Sequence, residues 1–422
     1  MYDRLIPIAS IITPATLSVE LRENVANSTM QQIPRIDFSN LNFVAGMPST
    51  VGVNRISLYY TYNGPSQIVK QIAMGVAAQN AILPITAPFP NSSWSLDFNG
   101  PSLKCDPLSV SESLSFQSNI ADYINQDSNC NTPPTFISWY PRLDIKQNQT
   151  ATKPYTGNAS TFSDPEAIFN IGFGNFNETK QDAIMYIAIL PNMLGVRRFT
   201  LTSSPSACDL KGSKVASDNP LGVVGGNVTM LQCQLYNSTY RTRFSYLNGA
   251  QTVNIDQDQQ ELNTTVPVIN FVRGAGSGGD LGPDHYATLN EEYENVYGKI
   301  CEFDGSLLSQ LSYQGILQAF TTLITGNITM VAETNGLSES TRIRSTGLVN
   351  TKELYYLTDY ALHANTTNLD PDLQKALSQS NMSDISGMSR LQQAASNESF
   401  QDAIETMFRN FTVSLMSSSI LQ

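Results

Sequence analysis

The chain has 422 residues, with 24 Lys and Arg against 36 Asp and Glu, and a formal net charge of −12. That length can bury full cores in two or three domains, and an apolar share of 41% excludes disorder of the whole chain. Charged residues are only 14%, and no basic run exceeds Arg197-Arg198, which argues against nucleic acid or anionic lipid as a partner.

The first 20 residues read as a membrane-proximal apolar segment. Leu5 to Leu17 is apolar but broken by Pro7 and Pro14, too short to span a bilayer and without a small-residue cleavage site. Residues 21–272 read as a β-rich domain. Asn54 to Tyr62 alternates, with Ile56, Leu58 and Tyr60 on one face. Ser66 to Asn80 is the one helix expected here, with Ile68, Ile72 and Val76 on a stripe. Trp94, Leu96 and Phe98 alternate before a turn expected at Asn99-Gly-Pro101. Ala183 to Leu190 has the uncharged apolar run of a fully buried strand, and Arg198 to Thr202 is a further strand candidate. Tyr240 to Leu247 and Ala250 to Ile255 flank Asn248-Gly249, the signature of a type I′ hairpin.

Residues 273–286 form a Gly-rich loop, and residues 287–422 read as a mainly helical region that packs on the β-rich body. Gly305 to Ala332 is uncharged and reads as one helix, with Tyr313, Ile316, Leu317, Phe320, Leu323 and Ile324 at helical spacing. Pro371 opens a short helix to about Ser378. The last helix carries Phe400, Ile404, Met407, Phe408, Phe411 and Leu415 on one stripe, a cap formed by Ser399 and Asp402, and an expected Glu405–Arg409 pair. That stripe either packs on the chain's own sheet or binds a partner. The fold class is α+β: a disulfide-stapled, sandwich-like β-rich body with a helical C-terminal third.

Thirteen Asn-X-Ser/Thr sequons run along the chain, at Asn27, Asn91, Asn148, Asn158, Asn177, Asn227, Asn237, Asn263, Asn327, Asn365, Asn381, Asn397 and Asn410. For 36 asparagines in this composition chance gives about seven, a near twofold excess. A secretory history follows, with most of these asparagines expected on surface loops. Five cysteines fit the same compartment. Cys105 with Cys130 and Cys208 with Cys233 share a spacing of 25, so two local disulfides are the expected arrangement, with other connectivities open. Cys301 is left over, as a buried thiol or for pairing with another chain.

No constellation marks a catalytic, cofactor or metal site. Gly274, Gly276 and Gly279 spell GxGxxG, but Asp280-Leu-Gly-Pro283 follows where a phosphate-binding helix should begin. Ser277 lacks a strand–turn–helix setting. The only histidines are His285, eight residues away in the same loop, and His363, so neither a hydrolase triad nor a zinc centre is indicated. Asp256, Asp258 and Glu261 lack the central glycine of a calcium loop. A glycosidase needs only two carboxylates, for which Asp97, Asp164, Glu166 and Glu302 are scattered candidates. Trp94, Trp139-Tyr140 and Tyr355-Tyr356 are possible sugar-stacking platforms or core.

Four stretches resemble a large family of integral membrane proteins of filamentous fungi whose activity is uncharacterised. They are Leu5-Ile-Pro-Ile-Ala-Ser-Ile-Ile-Thr-Pro-Ala-Thr-Leu-Ser-Val19, Trp94-Ser-Leu-Asp-Phe-Asn-Gly-Pro-Ser-Leu-Lys-Cys105, Cys233-Gln-Leu-Tyr-Asn-Ser-Thr-Tyr240 and Ile404-Glu-Thr-Met-Phe-Arg-Asn-Phe-Thr-Val-Ser-Leu415. The resemblance implies membrane helices on either side of a glycosylated extracellular domain. The chain would then start inside the first motif and stop before the last helix, as an ectodomain fragment, a shortened gene product or a member without anchors. The expected function is that of a cell-surface or secreted glycoprotein ectodomain, on the extracellular face of the plasma membrane or released. It would bind an extracellular ligand or cell-wall component, or serve structurally. The alternatives are a secreted carbohydrate-active enzyme using a carboxylate pair, and the outer domain of a membrane transporter or sensor.

Overall fold

The computed structural model describes residues 33–51, 57–124, 134–144, 149–156, 159–160, 181–190, 228–256, 262–269, 271–273, 305–331, 336–358 and 398–422. Apart from Ile33 they all belong to one unit, Pro34–Gln422. The segment expected over 1–20, the strand at Arg198, the helix at Pro371 and the Gly-rich stretch beyond Arg273 lie outside the described residues.

The first part of the unit holds β1 (Val44–Val51), β2 (Ser57–Pro65), α1 (Gln67–Gln79), β3 (Ser92–Pro107), α2 (Val110–Ile124) and β4 (Pro134–Trp139). Short strands follow: β5 (Arg142–Asp144), β6 (Gln149–Ala151), β7 (Tyr155–Thr156), β8 (Ala159–Ser160) and β9 (Gln181–Asp182). Next come β10 (Ile184–Ile189), β11 (Thr229–Leu247), β12 (Ala250–Ile255), β13 (Leu262–Thr265), β14 (Pro267–Val268) and β15 (Phe271–Arg273). The last part holds α3 (Gly305–Thr321), β16 (Gly326–Val331), β17 (Gly336–Glu339) and α4 (Phe400–Ser414).

The spine is β11. Along one edge it pairs with β3 without a register break, from Leu231 opposite Pro107 to Tyr246 opposite Ser92. Its other edge is shared in turn by β10, β13 and β12. From β10 the sheet continues through β4 and β16 to β17, every pair antiparallel. A separate three-stranded sheet is ordered β1-β2-β15.

Strand alternation sorts the core into two layers. Leu103, Phe136, Met185, Ile187, Leu231 and Leu235 point to one face, where α1, α3 and α4 cover them. Ile137, Trp139, Tyr186, Ala188 and Met230 point to the other, against Phe116, Ile120, Ala121 and Ile124 of α2. Because both faces are covered, β4 is buried at every residue and β10 at all but its first, the latter as its unbroken apolar run predicts. The covering layers are helices rather than a second sheet, so the sandwich-like part of the expectation is corrected while the α+β class stands. The last third is helical in α3 and α4, and it also contributes β16, which pairs with β4 inside the main sheet.

Within that frame α3 is buried on all sides from Leu311 to Thr321. Buried polar side chains of this stretch accept hydrogen bonds from neighbouring elements: Tyr62 donates its hydroxyl hydrogen to Gln318, Ile269 N–H to Gln314, and Tyr140 to Thr321. At Gly315 an added Cβ would stand 2.8 Å from Val44 Cγ1, so only glycine lets the start of β1 lie against the helix. The helix stops at Thr321, and Gly326, with φ of 128°, turns the chain into β16. The single helix expected over Gly305 to Ala332 is thus a helix followed by a strand.

The turn expected at Asn99-Gly-Pro101 is also overturned. β3 runs through it, with Pro101 opposite Asn237. Pro101 shares the parity of Cys105, whose N–H points away from β11, so the hydrogen proline lacks is not one the β11 ladder uses. The helix at Ser66–Asn80 and the Asn248-Gly249 hairpin appear as expected: Asn80 closes α1 in the left-handed region, and Asn248 and Gly249 have φ of 52° and 81°.

Candidate functional site: a disulfide seam and the sequons around it

Cys105 and Cys233 are directly opposed on β3 and β11, with Cα atoms 4.0 Å apart, and they form a disulfide. That spacing is the close, non-hydrogen-bonded type of antiparallel pair, in which both residues turn their N–H and C=O groups away from each other. The groups of Cys105 therefore face the outer edge of β3, and α4 covers that edge. Cys105 N–H donates to Glu405 Oε1 at 2.9 Å, and Gln401 Nε2 donates to Cys105 O. Lys104 Nζ donates to the same Glu405 oxygen at 3.1 Å. Two turns on, Thr412 Oγ1 donates to Pro101 O at 2.9 Å. An unpaired strand edge is a liability unless covered. Here one helix stripe, Gln401, Glu405 and Thr412, supplies the missing partners.

This seam corrects three expectations. Cys105 pairs with Cys233 rather than Cys130, and Cys233 with Cys105 rather than Cys208, because register and not sequence distance brings thiols together. Cys130, Cys208 and Cys301 lie outside the described residues. Glu405 is held by Lys104 and the β3 backbone rather than by Arg409, which donates to Thr406. The apolar stripe of α4, from Phe400 to Leu415, is buried in the chain's own core.

The platforms considered for sugar stacking are buried or half-buried, the first of them, Trp94, at the far end of the β3–β11 ribbon. Trp94 is stacked on Phe244 and Tyr246 at centroid distances of 5.1 and 5.3 Å, and only 8% of it is exposed. Phe98 stacks on Tyr240 in the same manner. Trp139 and Tyr140 are buried, Tyr355 is half-buried, and Tyr356 donates its hydroxyl hydrogen to Thr135 O. Burial lifts the phenol pKa of Tyr140, Tyr313 and Tyr356 well above the ordinary value near 10.

Of the candidate carboxylates, Asp97 is exposed on β3 and Asp256 follows β12, while Asp164, Glu166, Asp258, Glu261 and Glu302 lie outside the described residues. Ser277, His285, His363 and the GxGxxG glycines also lie outside them. No group of three His, Cys, Asp or Glu able to hold a metal occurs among the described residues.

Five sequons have a described backbone, and only one matches the expected surface-loop position. Asn91 is exposed immediately before β3. Asn237 is half-buried in mid-β11, where Tyr313 donates to its Oδ1. Asn327 is half-buried on β16, and Ser340 Oγ donates to its Oδ1 at 2.7 Å. Asn410 is half-buried within α4, its sequon threonine being the buried Thr412. Asn263 lies on β13. Asn27, Asn148, Asn158, Asn177, Asn227, Asn365, Asn381 and Asn397 lie outside the described residues.

Sequence reading missed α2 and the strands β4, β16 and β17. The signal for α2 was present: Ser109 donates to Glu112 three residues on, a capping pair, and Phe116, Ile120 and Ile124 follow at helical spacing. Against known proteins, the chain matches no family model, no curated protein and no solved structure. Among the described residues no helix is long and apolar enough to cross a membrane.

Proposed function

We propose that this chain is a glycoprotein ectodomain, secreted or held at the extracellular face of the plasma membrane, with a binding or structural role. The observation that carries this reading is the Cys105–Cys233 disulfide, set between the two longest strands with its flanking backbone satisfied by α4. Disulfides of this kind persist in oxidising compartments, and the sequon excess points to the same route. The resemblance to the fungal membrane-protein family supports an extracellular ligand or cell-wall component as the partner, and an association with the membrane.

The test is secretion from a eukaryotic host behind a signal peptide, followed by peptide mapping without reductant and before and after deglycosylation. The expected result is a Cys105–Cys233 cross-linked peptide and glycans on several sequons. Five free thiols and no glycan in a folded product would overturn the reading. Co-sedimentation with insoluble wall polysaccharides then separates a wall-binding role from a structural one.

A further inference from the structure

Two of the large apolar side chains that the fold leaves exposed flank the turn of the β11–β12 hairpin: Leu247, 63% exposed, at the end of β11, and Phe89, 60% exposed, in the segment before β3 that is hydrogen-bonded to that turn. They belong to distant parts of the sequence and are pinned to one place. Gly249 N–H donates to Pro90 O at 2.9 Å, Asn248 N–H donates to Asn91 Oδ1 at 2.6 Å, and Ser92 Oγ donates to Phe89 O at 2.8 Å. The β3–β11 register ends with Ser92 opposite Tyr246, which sets Asn91 one step on, beside Leu247.

Asn91 is also a sequon asparagine, and its side chain is set for the modification. Its Oδ1 is fixed by the Asn248 N–H, so the amide plane has one orientation, and Nδ2, the atom a glycan joins, makes no hydrogen bond to the described residues. Ser93, the sequon's hydroxyl residue, is exposed and makes no side-chain hydrogen bond to them either. Asn237, Asn327 and Asn410 differ in being half-buried within regular elements, and the hydroxyls of their sequon residues Thr239, Thr329 and Thr412 are hydrogen-bonded.

We propose that Asn91 carries an N-linked glycan whose first N-acetylglucosamine units lie on Phe89 and Leu247 and cover this apolar tip. The proposal rests on the glycoprotein reading above. In the transfer, Nδ2 loses a proton and bonds to the anomeric carbon of a sugar carried on a polyprenyl diphosphate, which leaves with the electron pair of the broken C–O bond. A pyranose ring has a face of C–H groups that packs on an aromatic ring while its hydroxyls stay in water, so it suits an aromatic residue two positions from the attachment point. Covering the patch also removes an exposed apolar surface of the kind that promotes association.

The test compares the secreted full chain with Ser93→Ala, which abolishes the sequon but leaves Asn91 and its bond to Asn248 in place. Both are made again in a Phe89→Ala, Leu247→Ala background, whose changes lie at exposed positions and leave the fold intact. Occupancy of Asn91 is read by mass, and thermal midpoints are compared. The expected result is an occupied Asn91, a midpoint about 1–2 °C lower for Ser93→Ala, and no such difference once Phe89 and Leu247 are alanine. Glycans at other sequons with Asn91 bare would overturn the proposal and leave the glycoprotein reading standing. So would an occupied Asn91 whose loss shifts the midpoint equally in both backgrounds. A folded product with no glycan anywhere would overturn both.

Discussion

The two ends of the β3–β11 ribbon share one register and are held in different ways. At the Cys105 end the ribbon is buried beneath α4, and its edge groups meet Gln401, Glu405 and Thr412 beside a covalent cross-link. At the hairpin end Ser93, Ser95 and Asp97 of β3 are exposed, and the strands are held by the stacked rings of Trp94, Phe244 and Tyr246. The contrast teaches where polar precision is needed. A buried strand edge has no water to fall back on, so each N–H and C=O must find a side chain. A solvent-facing ribbon leaves those groups to water and relies on cross-strand apolar contact.

The contrast can be broken first at the cross-link. It closes a sequence separation of 128, so replacing both Cys105 and Cys233 with Ser is expected to cost about 5 kcal/mol in urea unfolding. Reduction of the native chain should give a similar loss. Next is the aromatic content of each end. Phe411→Ala, beneath the covered end, should cost about 3–5 kcal/mol. At the hairpin end Trp94→Phe should stay within about 1 kcal/mol, because Trp94 Nε1 is buried without a hydrogen-bond partner among the described residues and its removal offsets the lost volume. A large loss for Trp94→Phe would show that the hairpin end depends on polar matching as well.

Glu405→Ala removes the partner of Cys105 N–H and should cost about 1–3 kcal/mol, whereas Arg409→Ala should cost little, since Arg409 does not pair with Glu405. Equal losses for the two would contradict the seam. The smallest effect sharpens the comparison by pH. Burial raises the folded-state pKa of Tyr313, which packs against Asn237 at the covered end, above its unfolded value near 10. The stability this phenol contributes is fully present below pH 10 and is lost as pH rises toward the folded value, by about 1.4 kcal/mol for each pH unit above 10. Tyr313→Phe should flatten the alkaline limb of the stability curve, and an unchanged limb would remove Tyr313 from the account.

What could be read from the chain alone was local. Ser66 to Asn80, the stripe from Phe400 to Leu415, the run Ala183 to Leu190 and the Asn-Gly hairpin each carry their signal within one element, and each appears in the fold. The errors arose where the deciding partner is distant. Asn99-Gly-Pro101 has turn composition, yet sixteen residues of β11 hold it extended. Thr322 to Val331 continues an uncharged run, yet pairing with β4 draws its second half into the sheet. Cysteine spacing suggested local loops, while the bond spans two strands distant in sequence.

The candidate site divides in the same way. The sequence pattern by itself determined the α+β class of this chain, and sequons, cysteine count and low charge are what support the proposal of a secretory route. Only the tertiary structure decided which cysteines meet, which asparagines remain exposed, and that the Phe89–Asn91 segment is hydrogen-bonded to the Asn248-Gly249 turn next to Leu247. The physical reason is that periodicity and turn chemistry act over a few residues. Strand register and helix docking join positions 100 to 300 residues apart, and no local pattern records them.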